Sequence, residues 1–337
     1  MTTTGTGAAI FGCEGATLGK DEAAFFRDYD PLGFIVFARN VETPEQLRRL
    51  TADLRNAVGR DAMILVDQEG GRVQRLRAPH WREWLPPFDM VERAGARAAR
   101  AMELRSRIIA KELRAVGIDA NCAPVADIAG PTTHAFLRNR CYADTVARVI
   151  EIATAVAEGH QAEGVIPVVK HMPGHGRSTA DTHHDLPLVA ASRAELTASD
   201  FAPFKALADL PMAMTAHIMF TAYDADNPAT QSWTVIDTIR QEIGFNGLLL
   251  TDDLNMEALS GTLSERTARS MQAGCDIALH CKGDLAQMIE VAAAAGAMRA
   301  DTLARARTAL VRRGPPTDVA IEDLDAELIS ILSETAP

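Results

Sequence analysis

The chain has little of what would define several common protein classes. Its five cysteines, Cys13, Cys122, Cys141, Cys275 and Cys281, are odd in number, scattered and without a CxxC pair. That pattern suggests neither a disulfide framework nor a zinc ribbon, and the thiols read as small buried or partly exposed groups. No uncharged apolar run reaches the length of about 18 residues that a membrane span needs. The N-terminal MTTTGTGAAIFGCEG carries neither a positively charged start nor a long apolar core, so the expectation is a cytoplasmic protein with no membrane attachment. A net charge of -11 opposes a general phosphate-neutralising surface for nucleic acid, while leaving room for a local basic pocket that takes a small anion. Neither a phosphate loop nor a dinucleotide fingerprint occurs. Lysine is scarce too, at 5 of the 34 basic residues, so a lysine at the end of a strand draws notice.

What is present is the composition of a soluble globular protein: 337 residues, 47% hydrophobic and 23% charged, enough to bury a sizeable core. Closed α/β barrels use about 250 residues or more as one domain, so a single large domain is plausible. Period and punctuation predict eight strands, near 8–12, 33–38, 63–67, 119–123, 165–170, 212–216, 247–251 and 276–280. Helical patterns separate them. Over 43–57, for example, Thr43 can cap, Pro44 suits the first turn, and Leu47, Leu50 and Leu54 form one apolar face. Eight alternations with mostly apolar strands favour a (β/α)8 TIM-type barrel, with a doubly wound open sheet as the competing layout. The barrel is expected over residues 1–313. Residues 314–337, opening with GPPTD, read as an acidic helical tail that either packs on the barrel exterior or serves a partner.

In VIPVVKHMPGHGRSTADTHHDLP, residues 165–187, a short β-branched run gives way to Lys170 and His171 and then to a loop broken by Pro173, Gly174 and Gly176. Asp181 and His183 follow two residues apart, close enough for the carboxylate to orient the imidazole and tune its proton affinity. Such a dyad can give and take a proton; the plainer reading is a solvated polar loop. Two further strand ends are charged: the third runs into Asp67-Gln68-Glu69-Gly70-Gly71-Arg72 with Arg75 close behind, and the seventh into Thr251-Asp252-Asp253. A single polar residue at a strand end is often only a helix cap, whereas three charged ends match the barrel's demand that catalytic groups cluster at one rim. Together these groups offer two carboxylates, several cationic donors and a histidine dyad. That set suits a polyhydroxylated substrate and glycoside hydrolysis, with an acidic nucleophile and a proton donor.

KHMPGHGRSTADTH, TDDLNM and VDQEGGRVQR closely resemble three motifs of glycoside hydrolase family 3, specifically its single-domain bacterial β-N-acetylhexosaminidases, and the resemblance spans nearly the whole chain. It implies a (β/α)8 barrel that cleaves terminal N-acetylglucosamine with retention, uses no metal or other cofactor, and serves peptidoglycan turnover in the cytoplasm. By matching position it further implies that Asp252 is the nucleophile, with Asp253 a structural neighbour. His183 would be the acid/base oriented by Asp181, and Asp67, Arg75, Lys170 and His171 would bind the sugar. Arg140, in LRNRCYADT, matches another sugar-binding arginine of the family, its alternative being a surface salt bridge. The chain departs from the family pattern at Met172, where an aromatic is usual, at Thr182, where serine is common, and at LRNRCY, where a glycine precedes the arginine. His217 either lines the pocket or is a buried, hydrogen-bonded histidine. Two other functions stay open on the residues alone: a metal-dependent hydrolase using His171, His175 and His183 with acids, and a catalytically silent sugar-binding barrel.

Overall fold

The computed structural model describes residues 4–131, 133–178 and 186–334. Eight parallel strands close into a barrel: β1 (Gly7–Gly12), β2 (Pro31–Val36), β3 (Met63–Val66), β4 (Ala120–Asn121), β5 (Ile166–Met172), β6 (Met212–Thr215), β7 (Leu248–Asp253) and β8 (Ile277–His280). Each strand pairs with its neighbours in the chain, and β1 closes on β8 through Ala9–Ala278 and Ile10–Leu279. The fold is the expected single-domain TIM-type barrel, not the open sheet. Two strand ends differ from the expectation. β5 continues through Lys170 and His171 to Met172, which pairs with Thr215 after a register shift beyond Val169, so the two polar residues lie within the ladder rather than after it. β4 holds only two residues, because Ala123-Pro124 interrupts the backbone donors that a longer ladder would need.

Strand residues alternate between two cores, as the two-residue period of a pleat requires. Ile10, Leu32, Leu65, Ile166, Met212 and Leu250 fill the barrel interior, and the helix Ala300–Val311 joins that cluster through Ala306, Ala309 and Leu310. Phe11, Phe34, Ile64, Val169 and Leu249 face outward against the helices. The helix Pro44–Val58 illustrates the layer: Thr43 accepts the backbone N–H of Gln46, Pro44 occupies the first turn, and Leu47, Leu50 and Leu54 are buried.

The N-terminal ends of the strands are tied by buried aspartates. Asp119, just before β4, accepts the backbone N–H of Ile64 at 2.7 Å and pairs with Arg55 and Arg313. Asp276, just before β8, accepts the N–H of Leu249 at 3.0 Å and pairs with Arg240 and Arg305. Each carboxylate thus joins one strand's start to the next strand and to the outer helices.

After Arg313 the chain crosses to the outer layer. There Thr317 donates to the buried Glu163, which Arg107 and Lys111 neutralise. The terminal helix Ile321–Glu334 buries Leu324, Leu328 and Ile331 and packs on the helix Ala98–Ala115. Its Asp325 pairs with Arg82 of the loop after β3, and Arg82 also faces Glu112 at 3.8 Å. Burial, with Asp325 adding repulsion against the pull of Arg82, raises the Glu112 carboxyl to about 7. A carboxyl whose folded value is raised is held ionised at a cost above that value and at none below its unfolded value of 4.5. Glu112→Gln is therefore expected to leave the melting temperature unchanged near pH 4 and to raise it progressively from pH 4.5 to 7, with the full gain at pH 8. Thermal melts across that range measure it, and a gain of equal size at pH 4 would refute the cause given.

Candidate active site

The C-terminal rim of the barrel carries a cavity of about 610 Å³, lined among others by Asp67, Arg75, Arg140, Lys170, His171 and Asp252. All six described residues expected at the site therefore meet in one place, although the chain separates Asp67 from Asp252 by most of its length. Asp181 and His183 lie outside the described residues.

The cavity floor is a continuous chain of charged contacts. Arg75 Nη2 donates to Asp67 at 3.1 Å, and Lys170 Nζ reaches Asp67 at 2.8 Å and Glu69 at 2.6 Å. Glu69 takes a forked pair from Arg140, Nε at 2.9 Å and Nη2 at 2.8 Å. Arg140 Nη2 lies 3.3 Å from His171 Nε2, and His171 Nδ1 lies 2.7 Å from Asp127. A guanidinium only donates, so Nε2 accepts and the ring proton sits on Nδ1, directed at the Asp127 carboxylate.

Burial penalises the charges on Asp67, Glu69 and Lys170, and their neighbours reverse the effect. Desolvation raises Asp67, but Lys170 and Arg75 outweigh it and hold the carboxyl well below the usual range. Glu69 is likewise raised by burial, then drawn down by Arg140 and Lys170 to about 2. Lys170, which burial alone would neutralise, is kept protonated by Asp67 and Glu69.

Asp252 stands at the end of β7, its carboxylate accepting the backbone N–H of Asp253 at 2.8 Å. Burial raises its proton affinity, but His171, His217 and that N–H lower it below the ordinary aspartate value, so the group is an anion at neutral pH. Its neighbour differs in kind. Asp253 accepts the N–H groups of Asn255 and Cys281, tying β7 to β8, and burial pushes its carboxyl up to about 6. His217 is buried, donating from Nε2 to the Asp253 carbonyl and pairing through Nδ1 with Thr230, and it does not line the cavity. Arg140 is not in a surface salt bridge: its partner Glu69 has 2% of its side chain exposed. Of the cysteines, only Cys281 lines the cavity; the other four are buried.

Two residues of this assembly, Glu69 and Asp127, carried no site role in the sequence, and His175 carried one only in the metal-dependent reading. Glu69 had a signal, since it lies two residues after Asp67 and an extended chain puts such pairs on one side. Asp127 had none, being 44 positions from the histidine it orients. It also accepts the backbone N–H of His175 at 2.7 Å. Burial and the adjacent His171 lower His175 to about 4, and its ring nitrogens lack a hydrogen-bond partner among the described residues. Asp127, His171 and His175 bring their ligand-type atoms within 4.8 Å of one another, the one trio among the described residues suited to hold a metal ion.

The loop that carries Glu69 is fitted closely to the layer behind it. Gly70 has φ of 103°, and a Cβ there would lie 1.7 Å from Arg105, the fully buried guanidinium that donates to the Glu69 carbonyl at 2.5 Å. Glycine is required on both counts.

A parallel eight-stranded barrel with a buried carboxylate and a series of ion pairs lining a cavity at its C-terminal rim has the layout of an enzyme site for a polar substrate. Comparison with known proteins gives the class. Residues 16–312 match the glycosyl hydrolase family 3 N terminal domain, and the chain belongs to that family: it is a glycoside hydrolase. It is similar to the beta-hexosaminidase of Methylococcus capsulatus, 36% identical over 81% of this chain and 82% of that protein. It also resembles the beta-hexosaminidase of Photobacterium profundum, 38% identical over 74% of each. Among solved structures, NagZ from Neisseria gonorrhoeae in complex with N-trifluoroacetyl-D-glucosamine superposes with a TM-score of 0.83 at 28% identity, covering 99% of this chain and 98% of that one.

Removing one partner from a buried pair leaves the other charge uncompensated, so Glu69→Ala is expected to destabilise the fold by about 3–5 kcal/mol. Glu69→Gln, which keeps one acceptor oxygen for Arg140 and the shape of the side chain, should lose less. Urea denaturation of both variants checks this; equal losses would mean that charge is not the determinant.

Proposed function

We propose that the protein is a retaining exo-β-N-acetylglucosaminidase, removing terminal β-linked N-acetylglucosamine from peptidoglycan-derived muropeptides in the cytoplasm. The observation that carries this reading is the buried, ionised Asp252 in the same cavity as Asp67, Arg75, Arg140, Lys170 and His171. Asp252 attacks the anomeric carbon as the bond to the leaving oxygen breaks, forming a covalent glycosyl-enzyme. His183, oriented by Asp181, protonates the departing oxygen and then takes a proton from the water that attacks the intermediate. Two inversions give net retention. Asp67, Arg75, Arg140, Lys170 and His171 hold the sugar hydroxyls, and Asp253 fixes the strand end from which the nucleophile projects.

The relatives named beta-hexosaminidase and the neighbour bound to an N-acylglucosamine analogue support the sugar. An imidazole acid relaxes the usual two-carboxylate spacing of retaining enzymes, and its unperturbed pKa of about 6.5 suits proton transfer near neutrality. No helix among the described residues is long and apolar enough to cross a membrane. The Asp127, His171 and His175 trio favours a metal-dependent hydrolase as the second reading.

Asp252→Ala is expected to abolish hydrolysis of an aryl β-N-acetylglucosaminide with its circular dichroism and thermal melt intact, and a 2-fluoro sugar should label Asp252 in the parent enzyme. Near-normal turnover by the variant would remove the assignment. His183→Ala should lose far more activity on poor leaving groups than on good ones, since only the former need strong protonation; equal losses would count against the acid role. Activity should survive exhaustive chelation, and its loss would favour the metal reading.

A further inference from the structure

We propose that Asn121 and His160, neither of which lines the cavity, are positioning residues: acting through Gln68, they fix the Asp67 and Arg75 side chains at the geometry in which these grip the sugar. This rests on the reading above, in which Asp67 and Arg75 hold sugar hydroxyls, and it says what sets their arrangement. Asp67 and Arg75 belong to a stretch, residues 67–76, that forms neither helix nor strand and whose one bridge joins Gly70 to Val73. With so little ladder of its own, the stretch is closed largely by side chains. Gln68 is the central one. Its Oε1 accepts the backbone N–H groups of Arg75 at 2.8 Å and Leu76 at 3.1 Å, and its Nε2 donates to the Leu76 carbonyl at 2.9 Å. One buried amide thus sets where Arg75 starts relative to Asp67, whose side chain it meets at 3.1 Å. Asp67 and Glu69, on either side of Gln68, both reach Lys170, while Gln68 turns away from the cavity, as alternation along an extended chain requires.

Gln68 is itself held from the next strand. Its backbone N–H donates to Asn121 Oδ1 at 2.9 Å, and its carbonyl accepts from Asn121 Nδ2 at 3.1 Å. The side chain at the end of β4 therefore continues a ladder whose main-chain part stops at Val66 and Asn121. These two bonds decide which end of the amide is oxygen, since a backbone N–H only donates and a carbonyl only accepts. The second N–H of Nδ2 is left for His160 Nε2, 2.8 Å away on the helix Val146–Ala162. That nitrogen accepts, so the ring proton sits on Nδ1 and is donated to the Val156 carbonyl at 2.8 Å. Burial lowers His160 to about 4, which keeps the ring neutral and its lone pair available near neutral pH.

Gln68, Asn121 and His160 are all fully buried. Apolar side chains would fill the same space without burying amides; what the polar series adds is a single permitted orientation for each member. The direction of that series runs from the outer helix to the rim. Without the His160 acceptor, one Asn121 N–H is buried and unsatisfied, and the amide relieves this only by rotating, which weakens both of its bonds to Gln68. A shift of Gln68 carries Asp67 on one side and the Arg75 backbone on the other. A displacement of about 1 Å at such groups is enough to change binding and rate measurably.

Variants at His160 separate orientation from packing. His160→Leu removes the acceptor and is expected to raise KM for an aryl β-N-acetylglucosaminide by about tenfold, with a smaller change in kcat, as a displaced grip would. A defect of packing alone would reduce the amount of folded enzyme, lowering the apparent kcat and leaving KM as it was. His160→Gln, whose Oε1 offers an acceptor to the same Asn121 N–H, should return KM to within about threefold of the parent. Gln68→Met, close in shape but without the amide, should raise KM as His160→Leu does, and it carries the test if the leucine variant does not fold. Circular dichroism and thermal melts establish which variants are folded. Parental KM in the folded His160→Leu or Gln68→Met variant, or a glutamine variant as impaired as the leucine one, would overturn the proposal. Asp67→Ala is the control for the reading beneath it: a parental KM there, or a parent enzyme that leaves the aryl glycoside uncleaved, would instead bring down the sugar-binding role on which the proposal stands.

Discussion

The structure of the site depends on one constraint: charges that are costly to bury are set in a single connected series, so that each has a partner beside it. Arg75, Asp67, Lys170, Glu69, Arg140, His171 and Asp127 form that series, with signs that alternate as far as the histidine. Removing an inner member takes a partner from the groups on both sides of it, so the residues position one another as a unit. The series also crosses the fold. Asp67, Glu69 and Arg75 follow β3, Asp127 and Arg140 follow β4, and Lys170 and His171 belong to β5, so three adjacent strands are locked in register at the rim where chemistry is carried.

The two ends of the barrel solve opposite problems with the same residue types. At the N-terminal end, Asp119 and Asp276 accept a neighbouring strand's N–H and are saturated by two arginines each, which closes the cylinder and leaves no group free for a substrate. At the C-terminal end the ion pairs line open space, and Asp252 is held as an anion by the field of two histidines and one backbone N–H rather than by a lysine or arginine in direct contact. A carboxylate kept ionised without being covered is the state a nucleophile needs. Asp253, one position on, also lines the cavity, but its carboxylate is engaged by two backbone N–H groups and ties β7 to β8.

Most of the fold was legible in the chain. The eight apolar runs, their alternation with amphipathic helices and the Thr43-Pro44 helix start rest on periodicities of two and 3.6 residues that act over a few neighbours, and all appear within one to three residues of the expected bounds. The site was legible where it was local: Asp67, Lys170, His171 and Asp252 mark strand ends. β5 ran further than expected because Met172 finds Thr215 as a partner on the adjacent strand, and no feature of the residues after Val169 announces that pairing. Asp127 was silent for a related reason, since its role exists only through a histidine from a different strand.

What the sequence by itself determined, then, is the barrel, the apolar faces and the polar residues offered at the strand ends, since these follow from side-chain alternation and local backbone preference. Tertiary structure alone decided which of those residues pair. It placed Glu69 between Lys170 and Arg140, set Asp127 behind His171, and brought Asp252 and Asp253 to the cavity, the second of them tied to β8 through the Cys281 N–H. The physical reason is that the charge state of a buried group is set by everything within a few ångströms of it, and closing the barrel chooses that neighbourhood from segments that lie far apart in the chain.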